Sequence, residues 1–281
     1  MLQKNIISYF DDKMSQFSSQ LKIAEMSDNP DAVHDLRVNI KKIRSLIRTF
    51  RLHKKNRKIK RMLKNNIGNI FSKAGKIRDL QVQNVLVKDY EKILNKEFFN
   101  LKDFISVKIK SELKRFRKIL PGDPVVFFNP FFTEISAVIE AMEEKKAKNS
   151  IVHFVDDRIR KFNKTRVRFY SKKLHKQRKI LKELRFMYEM LLNMPLQLDF
   201  EDQVLRIKEV EELLGRWNDY NMLKVSLENH LRKLRKPDSA YVIKINALSE
   251  TISNDIVNLL DNYQKLIVAL KPAPVVLQTD L

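Results

Sequence analysis

The chain has 281 residues, 43% hydrophobic and 32% charged, so it can bury a substantial core beneath a heavily charged surface. It contains no cysteine and only four glycines, which excludes disulfide bonds, thiolate zinc sites and cysteine nucleophiles and argues against a glycine-rich phosphate loop. Its 56 Lys and Arg against 34 Asp and Glu give a formal net charge of +22, which favours polyanionic partners such as nucleic acid, anionic lipid or a phosphate polymer.

Apolar residues recur at helical spacing along almost the whole first half of the chain. The segment SDNP at 27–30 separates the first two predicted helices, and PGDP at 121–124 follows the fifth. The apolar segment after PGDP is predicted to be an aromatic loop, followed by a sixth helix. The predicted helices cover residues 2–26, 31–52, 55–74, 77–95, 97–119 and 131–148.

The second half continues the same pattern, so the predicted fold class is all-α. Helices are expected over 151–193, with a break near Ser171, and over 200–214, 216–235 and 239–270. The tail from Lys271 has two prolines and no period, and we expect it to be irregular. Charges near the N-terminus argue against a signal peptide, and the apolar segment 124–132 is too short to span a bilayer. We therefore expect a cytoplasmic protein without membrane insertion.

The chain contains two similar segments half a chain length apart. VHDLRVNIKKIRSLIRTF at 33–50 aligns with LHKQRKILKELRFMYEML at 174–191 at an offset of 141 residues. GKIRDLQV at 75–82 aligns with GRWNDYNM at 215–222 at an offset of 140 residues. This spacing predicts an internal repeat of about 140 residues, with helical bundles over 1–140 and 150–281 related by a pseudo-two-fold axis.

Each of these segments carries a row of basic residues beside its apolar row. In the first segment the basic row follows the apolar row displaced by one residue, about 100° around a helix, so cations lie beside the core-facing side chains. The first basic stripe consists of His34, Arg37, Lys41, Arg44 and Arg48. The second basic stripe consists of His175, Arg178, Lys182 and Arg185.

The basic stripes lie in long segments that have almost no acidic residues. Thirteen Lys or Arg and no acid occur between Arg37 and Lys64, and thirteen against Glu183 alone between Arg158 and Arg185. A solvated helix face usually interleaves acids, and like charges four residues apart destabilise a helix. A solvated face remains the alternative, but the duplication favours two stripes that line one groove for an extended phosphate chain.

The sequence allows two roles each for the histidines and for the paired acids. His34 and His175 occupy the first position of each stripe and either donate to phosphate or brace the helix. Asp79 and Asp219, four residues after Gly75 and Gly215, either pair with stripe arginines or cap a helix. Two histidines without clustered acids make a poor metal site, so we expect neither a metal nor a cofactor.

These paired motifs, each histidine-headed basic helix followed about 40 residues later by Gly-x-x-x-Asp, resemble the CHAD domain family. The resemblance covers about residues 1–270 and implies one all-helical domain. It implies binding of inorganic polyphosphate in a basic central groove, association with polyphosphate granules, and eight ligands. These are His34, Arg37, Lys41, Arg44, His175, Arg178, Lys182 and Arg185.

Two positions depart from a symmetric pattern. Gln177 stands where an apolar residue is expected, and Asn218 stands where the first copy has Arg78. The Glu-x-Glu-x-Lys signature of a fused triphosphate-tunnel catalytic domain is absent, so the resemblance implies a binding module.

The leading hypothesis is therefore a non-enzymatic protein that binds inorganic polyphosphate, or another polyanion, through the two stripes. A helical nucleic-acid-binding protein is the alternative, although no aromatic residues interleave with the basic stripe positions. An enzyme acting on phosphoanhydrides is a third reading, for which the sequence offers no evident general base or nucleophile. The sequence leaves the oligomeric state open.

Overall fold

The computed structural model describes residues 2–165, 171–195, 199–234 and 238–277, without the side chain of Lys55. These residues form helices and connecting turns and contain no strand, which confirms the all-α prediction. The helices, in chain order, are α1 Leu2–Met26, α2 Pro30–Thr49, α3 Leu52–Lys55, α4 Arg57–Leu94, α5 Phe99–Arg117, α6 Pro124–Glu140, α7 Glu144–Asn163, α8 Ser171–Leu192, α9 Glu201–Lys233 and α10 Ser239–Ala269.

Local sequence explains where the first two helices begin and end. α1 buries an apolar residue at nearly every turn, among them Ile6, Phe10 and Phe17. The side chain of Asn29 accepts a hydrogen bond from the Asp31 backbone N–H at 2.9 Å and caps α2, while Pro30 occupies the first turn, where its missing N–H costs nothing. The expected boundary at SDNP is therefore present, with Asn29 as the cap.

Two predicted helix breaks are wrong. The sequence predicted helices over 55–74 and 77–95, and over 200–214 and 216–235, but α4 and α9 each run through their glycine without interruption. Gly75 and Gly215 both have helical conformations, since no glycine has a positive φ. A single glycine costs a helix only about 1 kcal/mol relative to alanine, and the packing of a long helix easily outweighs that cost.

The predicted aromatic loop after PGDP is also wrong, because these residues form the first half of α6. Asp123 caps the helix by accepting hydrogen bonds from the backbone N–H groups of Val125 and Val126. Phe128 is fully buried and packs edge-on against Phe17 of α1 at 5.1 Å between ring centroids. Pro130 interrupts the hydrogen bonding on an exposed side of the helix, where water can satisfy the carbonyl that loses its partner.

The helix boundary predicted between 148 and 151 is wrong, because α6 ends at Glu140 and α7 runs without interruption from Glu144 to Asn163. The later expectations agree with the described residues. α7 and α8 flank the predicted break near Ser171, α10 matches 239–270 closely, and residues 271–277 have no regular structure. No single helix among the described residues is long and apolar enough to cross a membrane. α6 and α7 meet that criterion only when taken together, across a bend of 105°.

The helices surround two apolar cores, and the long helices α4 and α9 contribute to both. The larger core includes residues such as Leu36 of α2 and Leu184 of α8. The smaller core joins the C-terminal parts of α4 and α9 to α5 and α10, with Val87 and Leu223 among its members. Both cores therefore contain residues from the two halves of the chain. The repeat boundaries at 1–140 and 150–281 stay a prediction.

Candidate anion-binding site

Helices α2 and α8 place the two basic stripes beside the larger core. Buried Leu36, Ile40 and Ile43 anchor α2 in that core, as the one-residue displacement between apolar and basic rows requires. The central cations of each stripe are consequently half-buried, with their stems along the apolar border. These central cations are Arg37, Lys41 and Arg44 on α2 and Arg178, Lys182 and Arg185 on α8.

Two ion pairs hold α2 and α8 against each other. Lys42 Nζ lies 2.9 Å from Oε2 of Glu189, and Arg48 Nη1 lies 2.6 Å from Oε1 of Glu183. Under the 141-residue offset, Lys42 corresponds to Glu183 and Arg48 corresponds to Glu189. Each pair therefore corresponds to the other with its charges exchanged, and the contact brings the two stripes into one region.

The arginines of the first stripe rest on an aromatic ring of α4. The guanidinium carbons of Arg37 and Arg44 lie 4.4 and 4.5 Å from the centroid of Phe71, within the range of a cation–π interaction. Arg37 also donates from Nη1 to the backbone carbonyl of Phe71 at 2.8 Å. A methyl group on Gly75, one turn further along α4, would overlap that Nη1, so this position of the Arg37 guanidinium requires glycine at residue 75.

The matching arginine of the second stripe is held by carboxylates. Arg185 donates from Nε to Oε2 of Glu211 on α9 at 2.8 Å and from Nη1 to Glu189. Burial lowers the pKa of Arg185, but the two carboxylates outweigh it and raise that pKa above its ordinary value. Burial raises the pKa of Glu211, against the opposing effect of Arg185. Arg185 is thus charged, and its charge is locally compensated.

Four stripe cations have no hydrogen bond or ion pair within the described part of the chain, namely Lys41, Arg44, Arg178 and Lys182, and Arg44 alone among them rests on the Phe71 ring. Burial, followed by repulsion from Lys182 and the nearby arginines, lowers the pKa of Lys41 to about 7. Burial and then repulsion by Arg178 lower the pKa of Lys182 to about 8. The two ammonium groups repel each other, so their charged forms are disfavoured in the free protein, and a bound anion would relieve this.

The paired acids of the glycine motif lie close to the cations. Burial raises the pKa of Asp79, and the negative charge of the nearby Asp219 carboxylate raises it further. Arg37 and Lys41 act in the opposite direction on that pKa. The sequence allowed Asp79 and Asp219 either to pair with stripe arginines or to cap a helix. Both lie inside helices, so neither is a cap, and their carboxylates interact electrostatically with the stripe cations.

The outer members of the two stripes lie at the edges of the group of central cations. His34 and His175 are exposed. Loss of solvation and the positive charge of Arg78 lower the pKa of His34, which places this ring near the other cations. Arg48 forms an ion pair with Glu183 and is not one of the six central cations, which we call the central group. Arg166 and Arg168, counted in the basic segment before α8, lie outside the described residues.

Sequence reasoning missed Phe71 and Glu211, which determine how the arginines are held. Both lie one helical turn before a glycine of the paired motif, at corresponding positions under the 140-residue offset. That position was the available signal, since a side chain four residues earlier lies on the same helix face. The unexpected Gln177 is fully buried and donates to the Thr165 carbonyl while its own carbonyl accepts from the Tyr263 hydroxyl.

Over the residues that the structure describes, His, Asp and Glu side chains nowhere gather in the groups of three or more that could hold a metal ion. The chemistry that the central group does offer is dense positive charge. It combines two forked guanidinium groups fixed on a ring with two ammonium groups that lack partners among the described side chains. Such a set suits anionic oxygens, which accept from arginine in bidentate fashion and from lysine singly.

The fold and this site define the class: an all-helical protein in which two basic helices meet. The sequence model of the CHAD domain family matches residues 9–228, and the chain belongs to that family. None of the curated proteins matches the chain.

Two solved structures share the fold at low sequence identity. One is the crystal structure of the CHAD domain from the plant Ricinus communis, with a TM-score of 0.77 and 13% identity over 97% of this chain and 93% of that one. The other is PptA from Streptomyces chartreusis, with a TM-score of 0.65 and 10% identity over 94% of this chain and 98% of that one. These similarities establish the all-helical fold. They do not identify a ligand, which has to be inferred from the chemistry of the site.

Proposed function

We propose that this protein binds inorganic polyphosphate through the central group of Arg37, Lys41, Arg44, Arg178, Lys182 and Arg185, without turning it over. The observation that carries the proposal is the pair of half-buried lysines that repel each other and make no ion pair with any residue that the structure describes. The charge of Glu211 favours the protonated form of both lysines and that of Asp219 favours the protonated form of Lys182, but burial and the surrounding cations outweigh these carboxylates. The chain belongs to the CHAD family, and this membership, which implies polyphosphate binding, supports the proposal. We extend the proposal to a cytoplasmic protein that associates with polyphosphate granules.

A narrow phosphate chain fits this group better than nucleic acid does. The Phe71 ring is already covered by two guanidinium groups, so it is not free to stack on a base. Polyphosphate carries a charge on every unit and needs no stacking partner. Nucleic acid remains the competing ligand, because a net charge of +22 attracts any polyanion.

The test is a competition between long-chain polyphosphate and duplex DNA at matched phosphate concentration and salt. We expect DNA to displace polyphosphate only at a large excess of phosphate. The double variant Arg44→Ala with Arg178→Ala should weaken polyphosphate binding by at least about a hundred-fold, since each lost charge-assisted hydrogen bond is worth about 1.5–3 kcal/mol. Neither arginine has a carboxylate partner among the described residues, so the variant leaves no unpaired acid.

The matched control is Lys92→Ala with Lys244→Ala, which removes two exposed cations from α4 and α10. It should change affinity little, and helicity should be equal in all three proteins. Equal binding of DNA and polyphosphate, or equal losses in the two double variants, would mean that the charge acts diffusely. Release of phosphate by the pure protein, abolished in Arg44→Ala with Arg178→Ala, would identify an enzyme instead.

A further inference from the structure

A second basic groove lies beyond Arg48, at the C-terminal end of the first stripe. It is a cavity of about 1260 Å³ between the end of α2, α3, the end of α6 and one side of α7 along most of its length. Seven Lys or Arg line it against the two acids Glu143 and Asp157. We call it the distal groove, and its cations are Arg48, Arg51, Lys54, Lys145, Lys146, Arg158 and Lys161.

Part of this charge is already compensated, and part of it is free. Glu183 pairs with Arg48 and with Arg158, and Asp157 pairs with Arg158 and with Lys161. The other four lining cations are exposed and make no ion pair with any residue that the structure describes. These four are Arg51, Lys54, Lys145 and Lys146. They come from two separate parts of the chain that the fold brings to one groove.

The backbone at Arg51 is unusual for a residue of this type. Its φ of 53° lies in the left-handed region, which costs a residue with a Cβ about 1–2 kcal/mol and normally selects glycine. An arginine in a position suited to glycine supplies a charge to the groove at the expense of backbone strain. Such an outlier points to a function for the side chain.

A histidine of the groove has an unused polar atom. The Nδ1 atom of His53 is buried and has no hydrogen-bond partner among the described residues, although its ring lines the cavity. An unsatisfied buried polar atom costs roughly 1–3 kcal/mol, so a partner inside the groove would be stabilising. His153 lines the same cavity from α7 and is exposed.

Arg48 connects the distal groove to the stripe. It follows Arg44 by one helical turn on α2, about 6 Å along the axis, and it also lines the groove. We propose that the distal groove is a second phosphate-binding segment, which takes the part of a polyphosphate chain that continues past Arg48. The inference rests on the proposed function of the central group and adds a selection for long chains, because one chain can then occupy both segments.

The experiment compares long-chain polyphosphate with tripolyphosphate on the full chain. The groove variant is Arg51→Gly with Lys145→Ala and Lys146→Ala, in which glycine suits the left-handed backbone and so removes the charge without breaking the turn. The control variant removes three exposed cations elsewhere, Lys92→Ala, Arg232→Ala and Lys244→Ala, for the same change in net charge. Thermal unfolding checks that all three proteins fold equally.

We expect the groove variant to lower the ratio of long-chain to tripolyphosphate affinity roughly ten-fold, with a salt dependence of long-chain binding that is shallower by roughly two in log–log slope. The control should leave the ratio unchanged. An unchanged ratio in the groove variant, including equal weakening of both ligands, would overturn the inference. Failure of the proposed function has a different signature, namely wild-type protein that binds neither ligand, or binding unaffected by Arg44→Ala with Arg178→Ala.

Discussion

The two basic stripes hold their arginines by different means, and the difference arises one helical turn before each glycine of α4 and α9. On the α4 side that position is Phe71, whose ring and carbonyl support Arg37 and Arg44 without cancelling their charge. On the α9 side the corresponding residue is Glu211, which pairs with Arg185 directly. Similar motifs therefore produce two half-buried arginines held without an ion pair and one arginine compensated by a carboxylate.

The comparison shows that the number of cations overstates the positive charge that a site has available for an anionic ligand. A guanidinium on an aromatic face is oriented and keeps its full charge for an anion, whereas one bound to a buried carboxylate must share it. We infer that the first stripe contributes more of the affinity. In the second stripe we expect Arg178 and Lys182 to contribute more to binding than Arg185, whose ion pair with Glu211 also stabilises the fold.

The largest expected effect is on stability, and it separates Arg185 from Arg44. Arg185→Ala leaves Glu211 buried without its partner and should lower the free energy of unfolding by about 3 kcal/mol, the usual result of breaking a buried ion pair. Arg44→Ala removes only a cation–π contact and should cost about 1 kcal/mol or less. Urea denaturation of the two variants measures both values.

Ligand binding should rank these two variants in the opposite order, with Arg44→Ala the weaker binder of polyphosphate. Adding Glu211→Gln to Arg185→Ala removes the orphaned charge and should restore most of the lost stability. The proposed difference between the stripes is wrong if Arg185→Ala and Arg44→Ala lower the free energy of unfolding equally, or if Arg185→Ala weakens binding more than Arg44→Ala does.

The next effect is a pH dependence of binding that comes from the two lysines. In the free protein burial and repulsion lower the pKa of Lys41 to about 7 and that of Lys182 to about 8, and a bound anion raises both. Below pH 7 both groups are already protonated, so the affinity should be highest there. Above these values binding must take up protons, and the affinity should fall with rising pH, by at most about ten-fold per unit for each proton.

Calorimetry in buffers of different ionisation enthalpy counts the protons taken up at pH 8. The control is Lys41→Arg with Lys182→Arg, since arginine stays charged throughout this range and should flatten the profile. A wild-type affinity that is constant between pH 6 and 9 would show that the lysines do not meet the ligand.

The sequence was sufficient to predict the helical class and the position of the basic stripes, because both follow from the spacing of apolar residues. It placed Arg37, Lys41 and Arg44 beside the core, where the structure has them. It failed where a local signal competed with packing. For Gly75 and Gly215 the sequence allows a close approach or a helix break, and the predicted breaks are absent because α4 and α9 pass through both glycines. The segment around Phe128 is helical, although the sequence predicts a loop there.

The sequence marks Phe71 and Glu211 only by their position one turn before each motif glycine. Which arginine each of them contacts could not be predicted, because it depends on which helices meet. Neither residue is basic, and neither belongs to the aligned motifs, so charge counting passed over both. The repeat itself stays a prediction, and the exchanged ion pairs of Lys42 and Arg48 are the contacts that it would explain.

The smallest expected effect compares the two glycines. A methyl group on Gly75 would overlap Nη1 of Arg37, whereas one on Gly215 would lie 3.9 Å from Nη2 of Arg178, an ordinary contact. Gly215→Ala should therefore leave polyphosphate affinity unchanged and raise stability by up to about 1 kcal/mol, the gain in helix propensity.

Gly75→Ala should show no such gain in stability and should weaken polyphosphate binding roughly five-fold, because Arg37 is displaced from the Phe71 carbonyl and loses about one hydrogen bond. Binding isotherms and urea denaturation give both quantities. In an Arg37→Ala background the displaced group is absent, so Gly75→Ala should no longer affect affinity and should now stabilise the helix as Gly215→Ala does. Identical behaviour of the two glycine variants would contradict the assignment, since it would mean that Gly75 supports α4 and not the position of Arg37.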